Sequence, residues 1–254
     1  MTIHFMRRLL VAAALLAGTA ANAQTSPSYA IMSMVGDKMT LVIHQIGTGS
    51  RLNANRRVDM PMPDDTLDGI AAFAADDAIK RLQPGAKTSL FVTRDPKLLA
   101  LQDKLADSTG NLETLAQQLK DLVASANATH LLLISKYRAD ARLRLVDGSI
   151  GGGRLTGLGF YVDQETRIVD RETGRAGTGF ISPYAYLSVT LFDMTQMRLL
   201  RREAATESDV VSPGDSASAV VPWDALTSQQ KVDAIKRVTQ RPIDAAVPRV
   251  LEAR

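Results

Sequence analysis

Residues 184–203 read YAYLSVTLFDMTQMRLLRRE, and this stretch decides how the rest of the chain is placed. Leu187, Val189 and Leu191 alternate with Tyr186, Ser188, Thr190 and Phe192, the period-two pattern of a strand with one face in a core. Asp193-Met194-Thr195-Gln196 has polar turn chemistry, after which Met197, Leu199 and Leu200 resume the apolar content before Arg201 and Arg202. A strand, a turn and a return strand are therefore expected.

Working outward from this hairpin, the segment just before it is the most unusual in composition. Residues 148–159 hold six glycines, followed by Phe160-Tyr161-Val162 and a polar run over 163–178. The glycines do not match a dinucleotide fingerprint, because no helix follows them. A flexible excursion over 148–180 is expected, leading into a strand near Leu158 to Val162. Of twelve Phe, Tyr and Trp residues, five fall between 160 and 186. Aromatics beside mobile backbone suit a partner surface, so Leu158, Phe160, Tyr161, Phe180, Tyr184 and Tyr186 form the candidate interaction surface.

N-terminal to this, local signals alternate between helix and strand. Tyr29 to Val35 and Met39 to His44 flank Gly36-Asp37-Lys38 and predict a β-hairpin. Residues 47–62 show no period and read as a loop. Pro63-Asp64-Asp65 opens a helix through Leu67, Ile70, Ala71, Ala74, Ala78 and Leu82, which Pro84-Gly85 stops. Thr88 to Thr93 is a short strand. Asp95-Pro96 caps a helix through Leu98, Leu101 and Leu105, and Asn111 caps another through Leu112, Leu115, Leu119 and Val123. His130 to Ile134 is the continuous apolar run of a buried strand. The segment from Arg138 to Leu145 alternates as a half-exposed one, with Lys136, Arg138, Arg142 and Arg144 on its solvated side. Residues 207–218 form a Ser/Asp/Pro/Gly linker. Thr227 with Gln230 is a capping box opening a helix through Val232, Ile235 and Val238, and Pro242 begins a last helical segment that Pro248 bends.

The N-terminus carries an address. Arg7 and Arg8 precede an apolar run over Leu9 to Ala20, and Ala21-Asn22-Ala23 fits a small-residue cleavage site before Gln24. Cleavage between Ala23 and Gln24 removes 23 residues, two of them arginine, from 254 and leaves 231 with 28 basic and 27 acidic side chains. This near-neutral balance gives no footing for a nucleic-acid partner. The chain has no cysteine, which excludes thiol catalysis, disulfides and a lipoprotein thiol. No apolar run in the mature part reaches the length of a membrane span. The expected location is the periplasm or the medium of a bacterium.

Chemistry is sparse. His44 and His130 have no second ligand at short spacing, so no metal site is expected and both read as packed or hydrogen-bonded strand residues. Gly214-Asp215-Ser216 resembles an esterase nucleophile block but has no histidine after it to act as base. Asp64-Asp65 reads as helix N-terminal charge and Asp76-Asp77 as a solvated helix face. No catalytic residue and no cofactor is assigned.

The element order, with ATHLLLI at 128–134 and YLSVTLFDMTQMRLL at 186–200, resembles small periplasmic domains of envelope-assembly proteins: the TolB-like N-terminal domain, the curli-secretion lipoprotein's periplasmic domain and lipoprotein activators of peptidoglycan synthases. The likeness spans residues 64–251 at element level and departs in the missing lipobox cysteine and the glycine-rich insertion. It implies a binding or assembly role and carries over no site residue. The expectation is one α/β domain over 24–254, a mixed and mostly antiparallel sheet flanked by helices with an N-terminal hairpin. It is expected to bind another envelope protein without catalysis. The alternatives are a hydrolase with an acidic site drawn from Asp163, Asp170 or Asp193, and a small-molecule binding protein with a closed apolar pocket.

Overall fold

The computed structural model describes residues 27–45, 55–107, 110–169, 176–211 and 221–252. Ala23 and Gln24, Asp170 and the Gly214-Asp215-Ser216 block lie outside the described residues. In chain order the elements are β1 (Ser28–Ser33), β2 (Lys38–Ile43), β3 (Arg56–Pro61), α1 (Thr66–Leu82), β4 (Lys87–Val92), α2 (Pro96–Ala106), α3 (Leu112–Val123), β5 (His130–Lys136), β6 (Arg138–Asp140), β7 (Leu143–Leu145), β8 (Gly148–Ile150), β9 (Arg154–Val169), β10 (Ala176–Asp193), β11 (Arg198–Ser208) and α4 (Ser228–Leu251). The class is as the sequence implies: a mixed, mostly antiparallel sheet flanked by helices.

The expected hairpin is present, β10 pairing antiparallel with β11 and turning at Asp193, whose carboxylate accepts from Thr195 N at 2.7 Å. Strand β10 is also the axis of the sheet. Tyr184 to Tyr186 pair with β11 on one edge and β9 on the other, whereas Leu187 to Asp193 pair with β11 and β5. Strands β9 and β5 therefore share one edge of β10, and two wings diverge from it. One runs β9, β2, β3, and the other runs β5, β1, β4. The second wing is parallel because α1 carries the chain to β4, and α2 with α3 carries it on to β5.

This fork corrects the reading of β1 and β2 as one hairpin. They belong to different wings, and the N-terminal hairpin is β2 with β3, which occupies part of the stretch expected to be loop. The cause is Asp68 at the start of α1. Its buried carboxylate accepts from Ser33 Oγ at 2.6 Å, Val35 N at 2.7 Å and Gly36 N at 3.2 Å. Those bonds draw the end of β1 toward the helix instead of folding it back on β2.

A second correction concerns the sheet's two faces. One face packs Ile31, Leu132, Phe160, Leu187 and Val189 against α1 and α4. On the other, the wing around β1 and β5 presents Met32, Leu131, Leu133 and Phe192 to α2 and α3. The wing around β9 presents Val42, Tyr161, Phe180, Tyr184 and Tyr186 to the segment carrying β6, β7 and β8. Both sides of β10 are therefore covered, which alternation along one strand cannot reveal.

Helix α4 runs through Pro242 and Pro248 without a break, in place of the two segments expected. An interior proline costs about 3 kcal/mol. Against that, Ile235, Val238, Ile243, Val247 and Val250 are all buried, at about 1.5–3 kcal/mol each. The capping box at Thr227 and Gln230 is formed, Gln230 N donating to Thr227 Oγ1 at 3.3 Å and Thr227 N to Gln230 Oε1 at 2.8 Å.

Candidate functional site

The stretch expected to be a flexible excursion is mostly strand: Gly157 and Gly159 lie in β9, Gly148 in β8, and Gly151 to Gly153 link the two. Residues 154–169 and 176–193 are the two longest strands, and between them only residues 170–175 lie outside the description. The six candidate surface residues are core. Tyr161, Phe180 and Tyr184 are fully buried, and Leu158, Phe160 and Tyr186 expose 3% or less. Their clustering comes from two adjacent central strands, where aromatic side chains pack against one another: Tyr161 stacks on Phe180 at 5.9 Å and Tyr184 meets Tyr186 edge-on. They cannot serve as a partner surface while buried.

The site-like cavity lies next to them. Where β5 ends, Tyr137 N donates to the Tyr186 carbonyl at 2.9 Å, and the chain leaves the sheet to form an arch through β6, β7 and β8. Polar side chains pin the arch. Tyr186 Oη accepts from Arg142 N at 2.9 Å and donates to the Asp140 carbonyl at 3.2 Å, and Ser208 Oγ accepts from Arg144 N at 2.8 Å. Leu143, buried with Ala141 and Leu155, anchors its underside. Between this arch and β11 an open groove of about 530 Å³ remains. Its floor is Ala204, Thr206 and Ser208, its walls include Tyr137 and Tyr186, and Arg142, Arg144, Asp140 and Glu207 give it charges of both signs. Burial raises the Tyr186 phenol above its ordinary value, so it stays protonated and able to donate. The outer edge of β11 pairs with no strand among the described residues.

A second cluster surrounds His44. Gly152 N donates to Tyr161 Oη at 3.0 Å, and that phenol lies 2.8 Å from His44 Nδ1. His44 Nδ1 also lies 3.3 Å from Asn55 Oδ1, and its Nε2 is 3.9 Å from Asp163 Oδ2. Asp163 is buried, with Oδ1 accepting from Glu165 N and Thr166 N and Oδ2 from Thr166 Oγ1, each at 2.8 Å. Asn55 Nδ2 adds a bond to the Gly152 carbonyl at 2.7 Å. Burial pushes the Tyr161 phenol up to about 12. The network ties the end of β2 to β9 and to the glycine loop, and none of its members lines the groove. His130 sits at the opposite end of the sheet, bonded to Thr129 and tilted against Tyr29.

Of the three carboxylates in the acidic-site alternative, Asp170 lies outside the described residues, and Asp163 and Asp193 stand far apart. Asp163 pairs with Phe180 and Asp193 closes the far end of β10, thirteen residues on, so about 40 Å of strand separates them. Asp193 is committed to its turn, and the Thr195 amide holds its carboxyl below the usual range. The closed apolar pocket required for the small-molecule alternative is not what the groove provides, since it is open and lined by charge. Asp76 is also not on a solvated face: it is buried between Lys80 Nζ at 2.7 Å and Thr88 Oγ1 at 2.6 Å. Among the described residues no group of three or more His, Asp or Glu side chains is placed to hold a metal, and no helix is long and apolar enough to cross a membrane.

The groove was not legible as a site. Ala204, Thr206 and Ser208 carry no motif, and only the run of alternating basic residues at 138–144 marked its roof.

No family model and no curated protein sequence matches the chain. Among solved structures, a neuraminyllactose-binding hemagglutinin homolog from Helicobacter pylori is similar at 8% identity and TM-score 0.37, over 90% of this chain and 86% of that one. A Xanthomonas campestris protein of the DUF330 family is similar at 9% and 0.35, over 92% and 90%. A Neisseria meningitidis lipoprotein is similar at 10% and 0.28, over 89% and 99%. Likenesses this remote decide neither fold nor function for this chain.

Proposed function

We propose that the chain is an exported protein of the bacterial envelope that binds and does not catalyse, taking an extended segment of a partner polypeptide in the groove between β11 and the arch. The observation that carries this is the groove running beside the outer edge of β11, which pairs with no strand among the described residues. An unpaired edge offers main-chain donors and acceptors to an added strand. Beside it, Tyr137 and Tyr186 supply amphipathic walls and Arg142, Arg144 and Glu207 supply charge for side-chain selection. Export rests on the leader ending at Ala23.

The test places a photo-crosslinking residue at Thr206 and compares partners captured from envelope extract with those of Ala204→Trp, which fills the groove from its floor. Capture of one defined polypeptide, lost in Ala204→Trp, supports the reading. The same capture from both chains, or from neither, refutes it. Mass spectrometry of the envelope fraction should find Gln24 as the first residue, and intact Met1 on cytosolic protein would overturn the address.

A further inference from the structure

The edge of the sheet opposite β11 is unguarded and apolar. Through β10 the strands run β11, β10, β5, β1, β4, so β4 closes the row at its other end. Among the described residues β4 pairs with β1 alone. Lys87 N donates to the Pro27 carbonyl on the β1 side at 3.3 Å. Main-chain groups alternate in direction along a strand, so Thr88, Leu90 and Val92 present theirs outward. Sheet edges are ordinarily protected by charge or proline. Edge strand β3 carries Arg56, Arg57 and Asp59 and ends in Pro61, and β11 carries Arg201, Arg202 and Glu203 in its middle. Strand β4 reads KTSLFV, with a single lysine at its first position.

Side chains add an apolar patch to this edge. Leu90 stands beside Ile31 on the face that α1 covers, yet Leu90 and Val92 remain 38% and 40% exposed. Helix α1 leads from β1 to the parallel β4 and so runs against the direction of both. Asp76 Oδ1 accepts from Thr88 Oγ1 at 2.6 Å, which sets that side of the helix over the start of β4. Phe73 lies three residues before Asp76 on the same side, about 4.5 Å along the helix, and Leu90 lies two residues after Thr88, about 6.7 Å along the strand. The two therefore stand at nearly one level, and Phe73 is 59% exposed. Three large apolar side chains bordering an unpaired edge mark an interface.

A second copy of this chain matches that edge. In an antiparallel pair about a two-fold axis through Leu90, Leu90 faces Leu90 of the second copy and Thr88 faces Val92 of the second copy. Every such pair joins residues whose main-chain groups point outward, so each exchanges two hydrogen bonds, about six in all. The same register sets the exposed Lys87 diagonally across from the exposed Asp95 of the second copy, on one face and within reach of a long side chain. Charge is therefore complementary at both ends of the pair, and Phe73 of each copy stands at the level of the axis. We infer that β4 is a self-association edge, at which two copies of this chain pair antiparallel through residues 88–92, join their sheets and cover Phe73, Leu90 and Val92. The groove beside β11 lies at the other end of each row and stays open, so self-pairing is independent of the partner-binding proposal.

The experiment uses the full chain. Sedimentation velocity over a wide concentration range should show twice the monomer mass, falling to monomer on dilution. Leu90→Lys sets like charges face to face and should raise the dimer dissociation constant at least about tenfold, while far-UV circular dichroism stays that of wild type. Because the chain has no cysteine, single introduced thiols report proximity without background. Residues facing each other in a hydrogen-bonded pair stand about 5.5 Å apart at Cα, the span of a disulfide, so mild oxidation of Leu90→Cys should give a covalent dimer. Arg56→Cys, on the edge of β3, should give none. A monomer at every concentration, a dimer that Leu90→Lys leaves intact, or crosslinking of Arg56→Cys in place of Leu90→Cys overturns the inference. A chain that stays monomeric alone and captures a different polypeptide through a photo-crosslinker at Leu90 also overturns it, and assigns the edge to that polypeptide.

Discussion

Gly159 should be the least replaceable glycine among the described residues, and Gly159→Ala measures how tightly β2, β9 and β10 are locked. An added Cβ would overlap the Thr40 carbonyl oxygen and stand 2.8 Å from both Thr40 C and Tyr184 Oη. Two of those atoms are backbone of the neighbouring strand, so relief requires β2 and β9 to separate. Overpacking of this kind costs about 1–3 kcal/mol, and losing the Tyr184–Thr40 hydrogen bond adds about 1 kcal/mol. Alanine also restricts the unfolded chain, which returns about 0.4–1 kcal/mol. The net is about 1–3.6 kcal/mol, and for a domain of this size each kcal/mol moves Tm by about 2–4 °C. The variant should therefore melt roughly 2–14 °C below wild type in calorimetry. Tyr184→Phe isolates the hydrogen bond alone and should lose about 1 kcal/mol. If Gly159→Ala melts no lower than Tyr184→Phe, the steric argument is wrong and the β2–β9 pair is looser than its register implies.

Further outcomes follow from two buried groups and one helix cap. Tyr161 keeps its proton in the fold to about 12 but releases it near 10 when unfolded, so its contribution is intact below pH 10 and lost as pH rises toward 12. Denaturant titrations of wild type and Tyr161→Phe should show a smaller loss over that window in the variant. Burial raises the Asp68 carboxyl, so its ionised form is disfavoured in the fold, and stability relative to Asp68→Asn should fall as pH rises through the ordinary carboxylate range. An opposite slope would show that the bonds from Ser33, Val35 and Gly36 outweigh burial. Asp68→Ala, which strips those donors of their acceptor, should lose about 3 kcal/mol in urea unfolding at neutral pH. Thr227→Ala should lose about 1 kcal/mol, and a double-mutant cycle with Gln230→Ala should show coupling between the two halves of the capping box.

The parts of the fold that were legible are those fixed by neighbours in sequence. Asp95 and Asn111 accept from Lys97 N and Glu113 N at 2.8 Å each, as their positions before apolar stripes imply. The 184–203 hairpin turns at Asp193 for the same local reason. Pairing between strands was not legible, because remote groups decide it. The tight turn at Gly36-Asp37-Lys38 predicts that β1 and β2 meet, yet a carboxylate on α1 redirects the chain at Val35 and Gly36. Strand β3 carries Arg56, Arg57 and Asp59 outward at the edge of the sheet, and an edge strand needs no apolar alternation to pair.

The misreading of the aromatics and the position of the groove have one cause. A strand buried on both faces and a strand with one exposed aromatic face differ only in what covers the second face, and that cover is made elsewhere in the chain. Over β1 and β5 the cover is α2 and α3, whose amphipathic stripes announce a buried interface and whose width of about 10 Å tiles the sheet. Over β9 and β10 it is the arch, made of strands three residues long whose side chains alternate too briefly to register as a pattern. Short strands tile a face less completely than helices do. The arch must be pinned by Tyr186 and Ser208, and the space it fails to fill is the groove beside β11. The proposed binding groove therefore lies where the sheet is roofed by arch and not by helix.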